Sequence, residues 1–416
     1  MPYSATNAEK SINYSIEHHC PQCGAPLFLD EADCFFICAY CRVRACISQK
    51  GFGRYYLAPH RDIPKATQLI FLPYWRFKGI QYECTLNGVD HWFTDTSWLA
   101  VKVGPGPLPF SLGTRSQALT LKRVSARTPG KFIRPLPFED GLKPGKGRAR
   151  YQGPVIKEDI GETTSLIYAP FFMDRETIFD GILNTPLGRL NQNLETMALC
   201  RPEKETRILS GICPECGWDL EGRSDSLILT CKNCHTLWQP KQDRLGKIRY
   251  KVAGPRSTKD QLIPFWKISA RVQGLSLNGF QDLISLGNLA KGEASSKSDP
   301  NDFHFWIPAF KIRPKVFLRI GRHLTIAQPA PDFETKIGPH LPVTLNFTEA
   351  VQSIKIVLAS LARPLKDHLP LLAAAKVKPE SAALIFLPFE SHAHEFIHPK
   401  LNLALNKNML KQSGNL

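Results

Sequence analysis

Cys213-Pro214-Glu215-Cys216, followed after fourteen residues beginning with Gly217 by Cys231-Lys232-Asn233-Cys234, decides how the rest of the chain is read, because the same device stands near the N-terminus. There it runs Cys20-Pro21-Gln22-Cys23, fourteen residues beginning with Gly24, then Cys38-Ala39-Tyr40-Cys41. Eight thiols in two sets of four with identical internal spacing fit two tetrahedral metal sites better than any other cysteine chemistry. The glycine after the second cysteine of each leading pair suits the tight turn that a C-x2-C ligand pair needs.

Both segments resemble zinc ribbons, small modules in which two cysteine knuckles on short hairpins clamp a structural ion. The resemblance implies two Zn2+ ions with Cys20, Cys23, Cys38 and Cys41 holding one, and Cys213, Cys216, Cys231 and Cys234 the other. The Cys-Pro-x-Cys-Gly knuckle is also similar to that of rubredoxins, which makes iron the alternative metal. With all four positions filled by protein, neither site keeps an opening for substrate, so a structural role is expected. The remaining thiols, Cys34, Cys46, Cys84 and Cys200, lack paired spacing and are expected to pack as small apolar side chains.

The repetition extends beyond the cysteines. After the ribbons come Arg54-Tyr55-Tyr56-Leu57-Ala58-Pro59 and Arg249-Tyr250-Lys251-Val252-Ala253-Gly254-Pro255, then Pro73-Tyr74-Trp75-Arg76 and Pro264-Phe265-Trp266-Lys267. Leu86-Asn87-Gly88 is matched by Leu277-Asn278-Gly279, and Leu166-Ile167-Tyr168-Ala169-Pro170-Phe171 by Leu384-Ile385-Phe386-Leu387-Pro388-Phe389. Trp306-Ile307-Pro308-Ala309-Phe310 pairs with Leu108-Pro109-Phe110. These short aromatic and β-branched runs bounded by turn residues predict strands, with each Trp a core anchor and each Asn-Gly a hairpin. The expected class is α+β, mostly β: a tandem duplication of a four-cysteine ribbon followed by a β-rich unit with a few helices. The expected divisions are residues 1–48 (ribbon 1), 49–190 (β-rich unit 1 with a basic loop at 115–150), 191–240 (linker helix and ribbon 2) and 241–416 (β-rich unit 2).

Helices are predicted from Thr348, where Val351, Ile354, Leu358 and Leu361 keep helical spacing up to Pro364, and from Thr185-Pro186, with Leu187, Leu190, Leu194 and Met197 on one face. Stretches rich in Gly, Pro, Ser and charge at 129–153 and 291–302 read as linkers.

Among 416 residues, 43% hydrophobic and 22% charged is globular composition with enough apolar content for sizeable cores, and no window approaches a membrane span. Twelve cysteines without a leader-like N-terminus point to a reducing, cytoplasmic setting. The net charge of +16 predicts attraction to polyanions. Ten Lys and Arg lie between Arg115 and Arg150, ending in a run that includes Lys143, Lys146, Arg148 and Arg150, and Lys311, Arg313 and Lys315 alternate as on a strand, with Arg319 and Arg322 following. These seven, from Lys143 to Lys315, are the candidate nucleic-acid contacts.

His394-Glu395-Phe396-Ile397-His398 matches the HExxH of zinc metalloproteases, a remote enzymatic reading. Pro399 interrupts a helix there, and its counterpart Arg175-Glu176-Thr177-Ile178-Phe179 lacks histidine, so a turn or strand is expected. The function expected first is a non-catalytic zinc-binding scaffold or adaptor whose partner is another protein or complex. The second is an RNA- or single-stranded-DNA-binding protein.

Overall fold

The computed structural model describes residues 14–49, 51–104, 106–113, 119–125, 128–138, 155–190, 194–200, 206–254, 257, 259–289, 303–330, 332–334 and 336–411. The basic run with Lys143, Lys146, Arg148 and Arg150 lies outside the described residues, as does the whole 291–302 stretch. The chain is β-rich with a few helices, as expected.

In the first half, β1 (Ser15–His19) and β2 (Pro26–Asp30) form a hairpin around the first knuckle, and β3 (Phe35–Ile37) and β4 (Arg44–Gln49) frame the second. There follow β5 (Gly53–Leu57), the long β6 (Ile70–Thr85) and β7 (Gly88–Leu99), then β8 (Thr120–Arg123), β9 (Lys131–Phe132), β10 (Ile156–Asp174), β11 (Thr177–Asp180) and β12 (Thr185–Arg189). A 3-10 turn at Leu194–Thr196 leads to β13 (Thr206–Ser210), and β14 (Leu220–Glu221), β15 (Leu229–Cys231), β16 (Leu237–Lys241) and β17 (Arg244–Ile248) carry the second cysteine set. The second half continues with β18 (Tyr250–Gly254), β19 (Gln261–Gln273), α1 (Phe280–Gly287), β20 (Phe305–Pro308), α2 (Pro314–Ala327) and β21 (Asp332–Glu334). It closes with α3 (Phe347–Leu361), α4 (Leu365–Ala374), β22 (Lys376–Ser391), β23 (Glu395–His398), β24 (Leu403–Asn406) and α5 (Lys407–Lys411).

Two large sheets result, one centred on β6–β10 and the other on β19–β22, and their ladders agree in register. Trp75 faces Leu166 and Pro73 faces Tyr168 in the first; Trp266 faces Leu384 and Pro264 faces Phe386 in the second. In both, the ladder shifts just beyond a matching pair, Lys78 with Thr163 and Ser269 with Ser381, with one extra residue on the returning strand. The meander β10–β11–β12 agrees with β22–β23–β24 likewise: Phe172 pairs Phe179 and Phe179 pairs Pro186, as Glu390 pairs Ile397 and Ile397 pairs Ala404. β5 and β18 run parallel to β10 and β22, one residue out of step with the sequence alignment.

A proline inside a central strand is tolerated where no neighbour needs its missing N–H. Pro73 lies where the flanking strand changes: β9 pairs only as far as Phe71 and β7 begins at Tyr74. Its carbonyl accepts from Ala100 N–H at 2.8 Å, and Pro264 accepts from Ala309 N–H at 3.1 Å. The first-half counterpart of Trp306-Ile307-Pro308-Ala309 is therefore Ser97-Trp98-Leu99-Ala100, not Leu108-Pro109-Phe110. Each anchor Trp is buried and donates its indole N–H to a loop carbonyl, Trp75 to Leu136 at 2.8 Å and Trp266 to Leu345 at 3.1 Å.

Three further expectations are corrected. Leu86-Asn87 is a two-residue hairpin turn, but Leu277-Asn278-Gly279 starts α1, because Asp282 Oδ2 takes the Asn278 N–H at 2.7 Å and Gly279 is the N-cap. Thr185–Arg189 is a strand, not a helix. Pro186 sits on an edge strand, where its missing donor costs no ladder bond. Its apolar residues Leu187, Leu190, Leu194 and Met197 nevertheless share one core. The helix expected at Thr348 starts at Phe347, because Asn346 and Glu349 make a reciprocal capping box.

Strand β6 is buried on both faces from Ile70 to Phe77. Ile70, Leu72 and Tyr74 enter one core, Phe71, Trp75 and Phe77 another. Further along, Ile80, Tyr82 and Cys84 join the core of the second half. Between the sheets lies α3, which touches β6, β7 and β10 on one side and β19, β20 and β22 on the other. Lys355 on α3 reaches Glu158 on β10 at 3.6 Å.

Candidate metal centres

Each cysteine knuckle is shaped by its own backbone. Cys20 O accepts from Gly24 N–H at 3.0 Å, Cys38 O from Arg42 N–H at 3.0 Å and Cys213 O from Gly217 N–H at 2.9 Å. The residue after the second cysteine of every pair is left-handed: Gly24 at φ 73°, Arg42 at 63°, Gly217 at 73° and His235 at 56°. That conformation turns the chain so that both sulfurs of a pair face the same point.

The four Sγ atoms of each set lie within 4.8 Å of one another. In the first, Cys20 is 3.6 Å from Cys41 and Cys23 is 3.7 Å from Cys38; in the second, Cys213 is 3.6 Å from Cys234 and Cys216 is 3.4 Å from Cys231. A tetrahedron of metal–sulfur bonds of ~2.3 Å has edges of ~3.8 Å, so both sets are positioned to bind a metal ion.

The electrostatics make the same demand. The Cys23 backbone N–H draws the Cys20 thiol down to about 6, and the Asn233 side chain draws Cys216 down to about 6. Burial pushes Cys231 up to about 12. Four thiolates this close repel one another too strongly to ionise together unless a cation sits among them.

The two sets are built into one body. β1 pairs in parallel with β8, so the first knuckle hangs from the large sheet. β13, on the way to the second set, pairs with β4 of the first. Phe35, Cys46, Cys213, Leu220, Leu229, Cys231 and Trp238 share a core. Arg44 donates to Leu220 O at 3.0 Å and lies 3.6 Å from Asp219.

His235 is no ligand: it fills the left-handed position after Cys234, and its carbonyl accepts from the Tyr250 hydroxyl. Of the leftover thiols, Cys46 and Cys84 are fully buried, while Cys34 and Cys200 are half-buried.

The HExxH run is not helical. Glu395–His398 is β23, with His394 exposed before it and His398 buried. The ladders pair His398 with Leu403 as they pair Asp180 with Thr185, so its counterpart is Asp180, one residue beyond the stretch expected. The two residues do the same work. Asp180 Oδ1 accepts from the N–H groups of Ile182 and Leu183 at 2.7 and 3.1 Å, and His398 Nδ1 from those of Lys400 and Leu401 at 3.1 and 3.2 Å. Among the described residues, neither His394 nor His398 belongs to a cluster able to hold a metal.

The basic trio does not lie on a strand face. Lys311 precedes α2 and lines a polar cavity of about 250 Å³ with Glu31, Asp33, Asp225 and Glu349; Arg313 is the N-cap of α2; Lys315 is on the helix. Pro314 at the first helical position sets a helical period over this stretch, which the alternating charges had suggested was a strand. Sequence reading also missed Arg76, buried on β6, which forms an ion pair with Glu31 and a two-pronged pair with Asp95 at 3.1 Å.

No family model, curated protein or solved structure matches this chain.

Proposed function

We propose that the protein is a non-catalytic zinc-binding scaffold or adaptor, made by tandem duplication of a ribbon-plus-sheet unit, that presents its paired ribbons to another protein. The observation that carries this reading is the closure of both metal sites: four thiols occupy the four corners of each set, leaving no vacancy for water or substrate. Thiolate-only tetrahedra suit Zn2+, and iron is the competing metal. Agreement of ladder register and bulge position between the two sheets supports the duplication. Large apolar side chains exposed on both cysteine modules, Phe28, Ile37 and Tyr40 on one and Ile212 and Trp218 on the other, support a protein partner.

Elemental analysis of reduced, purified protein tests the metal assignment. Two zinc per chain is the expected result, falling to one in Cys23→Ser and in Cys216→Ser. Iron in its place, with the visible absorption of a tetrathiolate site, would overturn zinc, and no bound metal would overturn the scaffold as well. A third zinc together with peptidase activity abolished by Glu395→Gln would restore the protease reading.

The second reading, binding of RNA or single-stranded DNA, keeps the support of the +16 net charge. Of the seven basic candidates, the described Lys311, Arg313 and Lys315 do not converge, so on this reading other residues complete the site.

A further inference from the structure

We propose that the corner between α2, the β6–β7 turn and the segment 363–365 binds the phosphodiester backbone of a single-stranded nucleic acid. The proposal rests on the second reading above and gives it a site.

Lys315, Arg319 and Arg322 are spaced i, i+4, i+7 on α2, so they share one face. Arg363, beyond the end of α3, joins them. With Gly88, Val89, Leu318, Ser360 and Leu365 they line a cleft of about 240 Å³ whose wall contains no carboxylate. All four cations are exposed, and among the described residues none makes an ion pair, the sequence-adjacent Asp90 and Asp367 included. Some cations elsewhere do meet acids, Lys122 with Glu17 at 3.1 Å, Lys247 with Glu215 at 2.8 Å and Arg271 with Glu380 at 2.9 Å, while others such as Arg207 and Lys378 stand singly among the described residues; what marks the cleft is that four unpaired cations line one hollow. Two of the guanidiniums are also steadied by carbonyls, Arg319 by Ala404 at 3.1 Å and Arg363 by Ala362 at 2.7 Å. Four like charges gathered in a hollow repel one another, and an anion relieves that repulsion.

The shape narrows the class of anion. Along the helix axis, Lys315 and Arg322 are ~10 Å apart, further than one phosphate can bridge. Leading away from the cleft, Val89, His91 and Phe93 alternate on one face of β7, which among the described residues pairs only with β6. Phe93 is 57% exposed, as a base-stacking ring needs to be.

The test is anisotropy titration of a labelled single-stranded oligonucleotide with the full zinc-loaded chain between 50 and 200 mM salt, as used for such slopes. Lys315→Gln/Arg319→Gln/Arg322→Gln should weaken binding at least about tenfold and flatten the log–log salt slope by about 2, at ~0.7 for each phosphate no longer neutralised. Phe93→Ala should weaken binding by about fivefold or more and leave that slope unchanged. Zinc content and melting temperature should match the parent in both, because the substituted side chains are exposed. Wild-type binding that the triple variant retains with an unchanged slope overturns this site and leaves the nucleic-acid reading standing on other residues. No wild-type binding overturns both. Inorganic polyphosphate bound as tightly as the oligonucleotide, with no effect of Phe93→Ala, overturns the proposed occupant.

Discussion

At the scale of single residues, the knuckles depend on four left-handed positions, only two of them glycine. A Cβ at Gly24 or Gly217 would meet nothing within 4 Å, so substitution there acts through backbone conformation alone. Gly24→Ala and Gly217→Ala should each cost about 1–2 kcal/mol, and Arg42→Gly should shift stability the other way, as read by urea unfolding at saturating zinc. The glycines were visible in the sequence because their type signals their conformation. Nothing in the identity of Arg42 or His235 does so, and those positions emerge only from the geometry. His398 gives a pH prediction. Burial lowers its imidazole to about 4 from an ordinary 6.5, so between those values the unfolded chain binds the extra proton and stability rises with pH. Stability should thus be intact above about pH 6.5 and decline as pH falls toward 4, by on the order of 1 kcal/mol at pH 5. His398→Asn keeps a turn acceptor without titrating, and the parent-minus-variant difference in unfolding free energy should lose this dependence.

Among the elements, strands were more legible than helices. Aromatic, Pro-punctuated runs such as Gln68–Trp75 identify strands because period-two patterning and turn residues agree. Leu187, Leu190, Leu194 and Met197 mimicked a helical face because an edge strand and a later 3-10 turn place them in the same core. Their spacing records a shared destination, which two backbone shapes can satisfy. At α3 the apolar spacing was read correctly and the cap was misplaced by two residues, since Thr348 competed with the Asn346–Glu349 pair. Asn346→Ala should cost about 1 kcal/mol in thermal or urea unfolding, with Thr348→Ala close to neutral.

For the whole molecule, the decisive tertiary packing was invisible in the sequence, because periodicity reveals which face is apolar and not what covers it. Arg76 illustrates this: it lies in a repeated strand motif, yet its partners Glu31 and Asp95 come from the first cysteine module's hairpin and from β7. Arg76 and Glu31 are each 2% exposed. Arg76→Met strands a buried carboxylate and should cost about 3–5 kcal/mol, part of which Arg76→Met/Glu31→Gln restores. The apolar spacing of α3 likewise gave no sign that the helix lies between two sheets. Because α3 and the joined cysteine modules tie both halves, chelation of the metal should lower one cooperative melting transition instead of splitting it, as calorimetry can record.

The link from Arg44 to Leu220 spans 176 residues of chain. During synthesis the earlier module is made long before the surface that covers Phe35 and Cys46 exists. On the zinc-scaffold proposal, a cation clamped by its own four sulfurs would let that module hold its shape on the ribosome until the second module is made. Cells starved of zinc should therefore lose newly made protein to degradation while sparing molecules already assembled.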